Sequence, residues 1–208
     1  LKKYQLWNDV PGSVRRVITQ GKKGLIPETP SPDDPVFSHV SNLIVSNNSL
    51  ACETAFNVAK KAGFQPEILS TQLTGEASEV GPWLIEKSKK VHKETGGNVF
   101  ISGGEPTVTL TGDGKGGRNQ EMVLSVVSRL KDSESVFASF GTDGVDGMSP
   151  AAGAIADGNT LSRAKKQGLD VELYLKNNDS FTFFHQLSDN IVIGPTGTNV
   201  MDVQILIW

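Results

Sequence analysis

Four loops in this chain collect the residue types that bind anions and move protons. The densest is Gly112–Glu121, GDGKGGRNQE. Its glycines (Gly112, Gly114, Gly116 and Gly117) let backbone N–H groups turn toward an anion, and a helix starting near Arg118 adds the positive end of its dipole. Lys115 and Arg118 bring formal charge, and Arg118 presents a planar fork that fits a carboxylate or a phosphate. The dipole alone is worth only ~0.3–1 kcal/mol, so the cations and backbone donors must supply most of the affinity. A glycine-rich hairpin leading into a helix is the alternative, and the anion cradle is preferred over it. Gly112, Gly114 and Gly117 also satisfy G-x-G-x-x-G, the dinucleotide fingerprint. That reading is the weaker one. The run before it, PTVTL, alternates where a first Rossmann strand is buried on both faces, and RNQE suits a ligand-facing helix start.

The other three loops adjoin expected strands. Ser102–Glu105 (SGGE) leaves the strand expected at Asn98–Ser102 and sets Glu105 where ligands collect in open α/β sheets. A turn whose glutamate caps neighbouring backbone explains it as well. Gly141–Gly147 (GTDGVDG) leaves the strand Ser135–Phe140 and carries Asp143 and Asp146. Mg²⁺ takes one or two carboxylates plus phosphate oxygens and water, which this pair can offer, with Asp143 ahead of Asp146. An aspartate also serves as general base in phosphoryl transfer. Asx turns compete for both residues. Gly194–Asn199 (GPTGTN) supplies Thr196, Thr198 and Asn199 as neutral groups for phosphate or adenine edges, against a plain hairpin loop. Ser46-Asn47-Asn48 reads first as a helix cap. His39, His92 and His185 have no ligand spacing.

The elements that must position these loops follow from pattern. The chain opens with a helix end, a break at Pro11-Gly12 and a short helix from Ser13; four prolines between Gly24 and Pro35 make a loop. Asn42–Ser46 (NLIVS) is predicted as a buried strand, Ser49–Ala62 as a helix ended by Gly63, and Pro66–Leu69 as a strand. Glu76–Thr95 is a longer helix interrupted near Gly81-Pro82. Pro106–Leu110 is predicted as an edge or antiparallel strand, Arg118–Leu130 as a helix, and Asn159–Gln167 and Phe181–Leu187 as short helices. Asn190–Ile193 and Val203–Ile207 close the sheet. The expected class is α/β, a three-layer α/β/α fold with a mostly parallel sheet in the first half and a mixed sheet in the second, and a soft boundary near Gly96.

Bulk properties narrow the function. The 208 residues fit one large domain or two small ones. A net charge of −3, from 20 basic and 23 acidic residues, argues against nucleic acid and against a membrane-binding basic face. One cysteine, Cys52, forms no internal disulfide, so a reducing, cytoplasmic location is expected, or a mitochondrial one if a leader lies upstream.

In order, SGGEPTVTL, GKGGRNQE, GTDGVDG with AAGAIADG, NNDSFTFF and GPTGTNVMD resemble the MOFRL domain that closes the glycerate 2-kinases. GLIPETP and SNNSLACETA resemble the end of that family's preceding domain, so the resemblance covers nearly the whole chain. It implies residues 1–96 as the end of the preceding α/β domain and 97–208 as a MOFRL-like domain, with an active site in the cleft between two domains. It also implies ATP-dependent, Mg²⁺-assisted phosphorylation of D-glycerate at its 2-hydroxyl. Glu105, Arg118, Asn119, Glu121, Asp143 and Asn199 are the residues carried over. Arg118 is expected to meet the glycerate carboxylate or the transferring phosphoryl group, Asp143 to orient the hydroxyl or hold metal, and Asn119 and Asn199 to position polar groups. Family members are about twice as long. Their amino-terminal half, with a lysine expected in the active site, is expected as a missing partner, and this chain alone as weakly active or inactive.

Overall fold

Val99, Phe100 and Ile101, and likewise Ile205, Leu206 and Ile207, send successive side chains into two different apolar layers, and this double burial fixes the centre of the fold. The computed structural model describes residues 1–208 and divides into two compact units, Leu1–Ile44 and Val45–Trp208. In the first, a 3-10 turn at Lys2–Tyr4 precedes α1 (Gly12–Lys22), which starts directly after Pro11, and a second 3-10 turn spans Pro35–Phe37.

The second unit begins with α2 (Asn48–Lys61), β1 (Pro66–Leu73), α3 (Ala77–Thr95) and β2 (Val99–Gly104). It continues through α4 (Arg118–Leu130), β3 (Val136–Gly141), β4 (Gly153–Asp157), α5 (Thr160–Lys166), α6 (Val171–Lys176) and α7 (Ser180–Leu187). It ends with β5 (Asn190–Ile191) and β6 (Asp202–Ile207). The six strands form one mixed sheet in the order β1-β2-β6-β3-β4-β5. Only β1 and β2 are parallel, joined through α3. Strand β6 inserts antiparallel to both β2 and β3, and β4 and β5 extend the antiparallel side.

One face of the sheet carries α2 alone, with Cys52, Ala55, Phe56 and Ala59 on Val99, Ile101, Ile205 and Ile207. The other face carries the main core around α4, in which nine of 13 residues are buried. A helix buried nearly all round belongs at the centre of a layer, and α4 has α3, α6 and α7 as neighbours as well as the sheet. Helices α3 and α4 approach most closely at Gly81, where a Cβ would lie 2.7 Å from Ser125 Oγ and 2.8 Å from the Met122 carbonyl. The interruption expected at Gly81-Pro82 does not occur. Pro82 sits early in α3, where its missing N–H deprives only the Ser78 carbonyl of an intrahelical partner.

Two expected strands are absent. Asn42–Ser46 is coil, with Leu43, Ile44 and Val45 exposed by 84%, 79% and 80%; it has no neighbouring strand to pair with, and an apolar run without a partner edge cannot form a ladder. Pro106–Leu110 crosses the start of α3, where Thr107 forms an isolated bridge with Glu76 and the Glu76 carboxylate accepts from the backbone N–H and the hydroxyl of Thr109. A side-chain anchor has replaced the ladder there. The expected βα repeats of the first half thus reduce to one β1–α3–β2 crossover. Gly96 lies between α3 and β2, inside the compact unit that starts at Val45.

Candidate functional site

Gly104, Asp202 and Gly141 stand in register across β2, β6 and β3, at one end of the sheet. Because β6 runs opposite to its neighbours, its first residue meets the last residues of β2 and β3. All four chemistry-bearing loops therefore converge on one edge: Glu105 leaves β2, Thr142 and Asp143 leave β3, the Gly194–Met201 segment enters β6, and α4 starts beside them. Ligands of α/β sheets collect at such an edge.

Asp202 organises this edge. Its side chain is 1% exposed, and it accepts from Arg118 Nε at 2.5 Å and from Arg118 Nη2 at 3.0 Å. Burial pushes the Asp202 carboxyl above the usual carboxylate range, with hydrogen bonding to Arg118 pulling it back in part. The same bond holds Arg118 above its ordinary value, so the guanidinium stays charged. The backbone beneath is pinned as well, since buried Asn48 donates from Nδ2 to the carbonyls of Val200 and Asp202, both at 2.9 Å. Asn47 caps α2 as expected, accepting from the Leu50 N–H.

Arg118 opens onto a cavity of about 520 Å³ walled by Pro106, Val108, Leu110 and Met148 and floored by Gly114, Gly116, Gly117 and Glu121. Glu105 reaches Arg118 Nη2 at 3.4 Å from the rim. Glu121 is nearly buried; its Oε2 accepts from Asn178 Nδ2 at 2.9 Å, and burial raises its carboxyl above the usual range.

The glycine loop is built differently from the expected cradle. Its own chain already occupies most of its donors. The N–H groups of Gly112, Asp113, Gly114 and Lys115 go to Asn178, Asn177 and Asp179 of the turn before α7. The N–H groups of Asn119 and Gln120, in the first turn of α4, go to the two carboxylate oxygens of Asp146 at 3.0 and 2.9 Å. Asp146 is thus the anion on the helix dipole, 1% exposed and bonded also to Asn119 Nδ2 and Gln120 Nε2. With four donors on its two oxygens it caps a helix and has no place for a metal. What remains open beside the cavity is the backbone N–H of Gly116, Gly117 and Arg118, none of which has a protein acceptor. The glycines answer to packing as much as to ligand: a Cβ on Gly114 would enter the backbone of Asn177 and Asp179, and one on Gly117 would enter Asp146.

Asn119 belongs to the buried network and not to the cavity. It accepts from Ser139 Oγ at 2.6 Å, and Ser139 in turn accepts from Gln204. Asp143 forms a second cluster outside the Arg118 cavity. Its Oδ1 accepts from the Val145 N–H, its Oδ2 from Asn199 Nδ2 at 3.4 Å, and its carbonyl from the Thr196 N–H. Thr196 Oγ1 donates to the Thr142 carbonyl at 2.6 Å, and Thr198 borders an apolar groove beside α2. Lys115 is a side-chain cation with no ion-pair partner.

No group of three or more His, Cys, Asp or Glu side chains is placed to hold a metal. The Asp143 carboxylate is only part-covered and could give a divalent cation one protein oxygen, which is compatible with Mg²⁺, an ion that needs only one or two protein carboxylates beside other oxygens and water.

Sequence reasoning missed Asp202, Asn48 and Asn178. Asp202 opens β6, and only the pairing of that strand with β2 and β3 sets it beside Arg118. Asn178 has a positive φ of 50° and holds the glycine loop through Thr111 and Gly112; Asn178-Asp179 looks from sequence like a simple cap.

A family model described as the MOFRL family matches residues 98–202. A glycerate 2-kinase of Pyrococcus horikoshii is 38% identical over all of this chain and 48% of its own length. A putative hydroxypyruvate reductase of Agrobacterium vitis is 37% identical over 96% of this chain and 45% of its own length. A crystal structure of glycerate kinase from Thermotoga maritima superposes with a TM-score of 0.79 at 38% identity, covering 95% of this chain and 46% of that one. The chain spans about half the length of the curated relatives it matches.

Proposed function

The chain belongs to the MOFRL family, with glycerate kinases among its relatives, and from that premise we propose that it is the carboxy-terminal portion of an ATP-dependent glycerate 2-kinase. The reaction is phosphoryl transfer from ATP to the 2-hydroxyl of D-glycerate, giving 2-phosphoglycerate. The observation that carries this reading is Arg118, fixed by buried Asp202 at the end of the central strands and facing a cavity with three open backbone N–H groups.

In this mechanism Arg118 binds the glycerate carboxylate or the transferring phosphoryl group, and the Gly116–Arg118 N–H groups share the negative charge. Asp143 orients the acceptor hydroxyl and receives its proton, or holds the cation. Asp143 would be the residue to hold Mg²⁺ arriving with ATP, and the metal would supply neutralisation of phosphate charge. Asn199 and Thr196 keep Asp143 in place. Glu105 contributes at the rim of the Arg118 cavity. Since Arg118 and Asp143 occupy separate clusters, substrates must span them, and the facing wall falls to the amino-terminal half present in the longer relatives. Phosphoryl transfer depends on groups from both sides of such a cleft. A cytoplasmic setting goes with this reading.

The test is D-glycerate-dependent ATP turnover by the 208-residue chain, alone and mixed with the amino-terminal half of the Pyrococcus relative. Little turnover is expected alone and restored turnover on mixing, lowered about 10²-fold or more by Arg118→Ala. Robust turnover by the chain alone defeats the half-enzyme reading. A dinucleotide-dependent reductase is disfavoured, because β2 ends at Gly104 and does not run directly into the glycine loop, and Asp146 fills the helix start that a pyrophosphate would need.

A further inference from the structure

Arg118 stands between two carboxylates that hold it in different ways. Asp202 is buried and takes Nε and one Nη2 hydrogen, at 2.5 and 3.0 Å. Glu105 is 57% exposed and reaches Nη2 at 3.4 Å as its only ion-pair contact. Arg118 Nη1 has no protein acceptor. The Glu105 backbone is tied down, its N–H donating to the Leu73 carbonyl, while its carboxylate lies on the rim of the cavity. Withdrawing Asp202 would strip the half-buried Arg118 guanidinium of its two short bonds, whereas withdrawing Glu105 returns an exposed carboxylate to water.

We infer that Glu105 is an exchangeable stand-in for the ligand's anionic group on the Nη1/Nη2 edge of Arg118, and that an entering carboxylate or phosphoryl group displaces it while Asp202 stays as the positioning residue. This rests on the proposed role of Arg118 in anion binding. The arrangement makes Glu105 a determinant of specificity. A neutral alcohol cannot replace the charge that Glu105 gives up, so the site selects small acids over their uncharged analogues. It also sets the edge used: Nε is permanently committed, and the ligand meets the two Nη groups.

The experiment titrates D-glycerate, and separately inorganic phosphate, into the purified 208-residue chain as wild type, Glu105→Gln and Arg118→Lys. Affinity is read by calorimetry, and the Arg118 Nε–Hε resonance by ¹⁵N NMR. Glu105→Gln is expected to tighten anion binding by roughly two- to fivefold, the weight of one exposed charge pair. The Nε–Hε proton is expected to stay slow to exchange with solvent in wild type and Glu105→Gln with anion bound, because Asp202 keeps it. A fourth protein, the double variant Glu105→Gln/Arg118→Lys, should show no gain. Unchanged or weaker binding in Glu105→Gln overturns the inference, as does loss of that exchange protection on adding anion, and so does failure of both anions to bind either protein. A gain with phosphate and no binding of glycerate keeps the stand-in role and removes the glycerate reading. Glycerate binding with no gain does the reverse.

Discussion

The two glycine-bearing loops beside Arg118 are held in opposite ways. Gly112–Gly117 is clasped by the Asn177–Asp179 turn, and the helix it leads into is capped by a buried carboxylate. The Gly141–Gly147 loop splits its two aspartates: Asp146 turns inward and takes four donors, while Asp143 stays part-covered and takes only two, at 3.1 and 3.4 Å. Three residues apart, one carboxylate is buried structure and the other stays part-covered at the surface. On the proposed reading, the site would be rigid on the Arg118 side, where charge is met without reorganisation, and adaptable on the Asp143 side, where a hydroxyl or a cation would be accommodated.

The sharpest way to break this contrast is Asp146→Ala. It leaves the N–H groups of Asn119 and Gln120 and two side-chain amides buried without their acceptor. Roughly 3–5 kcal/mol of stability should be lost in urea unfolding. A loss below 1 kcal/mol would mean that the cap is not formed in solution, and that the α4 start is open to ligand after all.

Glycine substitutions put the clasped loop and the last loop, Gly194–Asn199, on one scale. Gly114→Ala pushes a methyl into the Asn177–Asp179 backbone and should cost about 1–3 kcal/mol. Gly197→Ala in the last loop meets nothing within 4 Å, but its φ of 74° is left-handed, so about 1 kcal/mol is expected. Equal midpoint shifts would erase the distinction between a clasped and an open loop.

Glu121 offers a gentler probe of the clasp, through pH. Its carboxyl is raised in the folded state by burial, with the Asn178 bond opposing. A raised carboxyl contributes stability that is full below its unfolded value, about 4.3, and is lost as pH climbs through the higher folded value. Wild-type stability should therefore fall as pH rises out of the ordinary carboxylate range. Glu121→Gln, which keeps an acceptor for Asn178, should flatten that fall and be the more stable protein at neutral pH. The gap should close near pH 4. Asp202, also raised by burial, leaves part of the slope in place.

How legible all this was depends on range. Helix α4 was predicted at its observed ends because its apolar period and polar start are local, and β2, β3 and β6 were found from short apolar runs. PTVTL has the same alternation as a strand, yet the Glu76 carboxylate claims its backbone, and no local pattern announces a partner 33 residues away. NLIVS carries a two-sided apolar signal that finds no sheet edge here. In the site, residue types and spacing drew attention to Arg118 and Asp143, while the surroundings of Asp146 and Asn119 hinged on which way each side chain turned. Asp202 escaped because its meaning comes from strand order: only the insertion of β6 between β2 and β3 sets it under Arg118.

The smallest stability effect should accompany a large functional one. Asp143→Asn removes a carboxylate whose contacts are a local turn N–H and a 3.4 Å bond from Asn199, so stability should stay within about 0.5 kcal/mol of wild type. The amide oxygen still accepts from Val145, and the turn should hold. Neither a proton nor a cation is held by the amide, so turnover in the mixed-half assay should fall by about 10²–10⁴-fold. A large loss of turnover with little loss of stability, set against the large stability loss of Asp146→Ala, is what separates the two aspartates. If Asp143→Asn unfolds the chain, the outward carboxylate is structural too, and the site has a single rigid side. If it leaves both stability and turnover intact, the general base or cation ligand lies on the amino-terminal half, and the Gly141–Gly147 loop serves the site only through the cap that Asp146 places on α4.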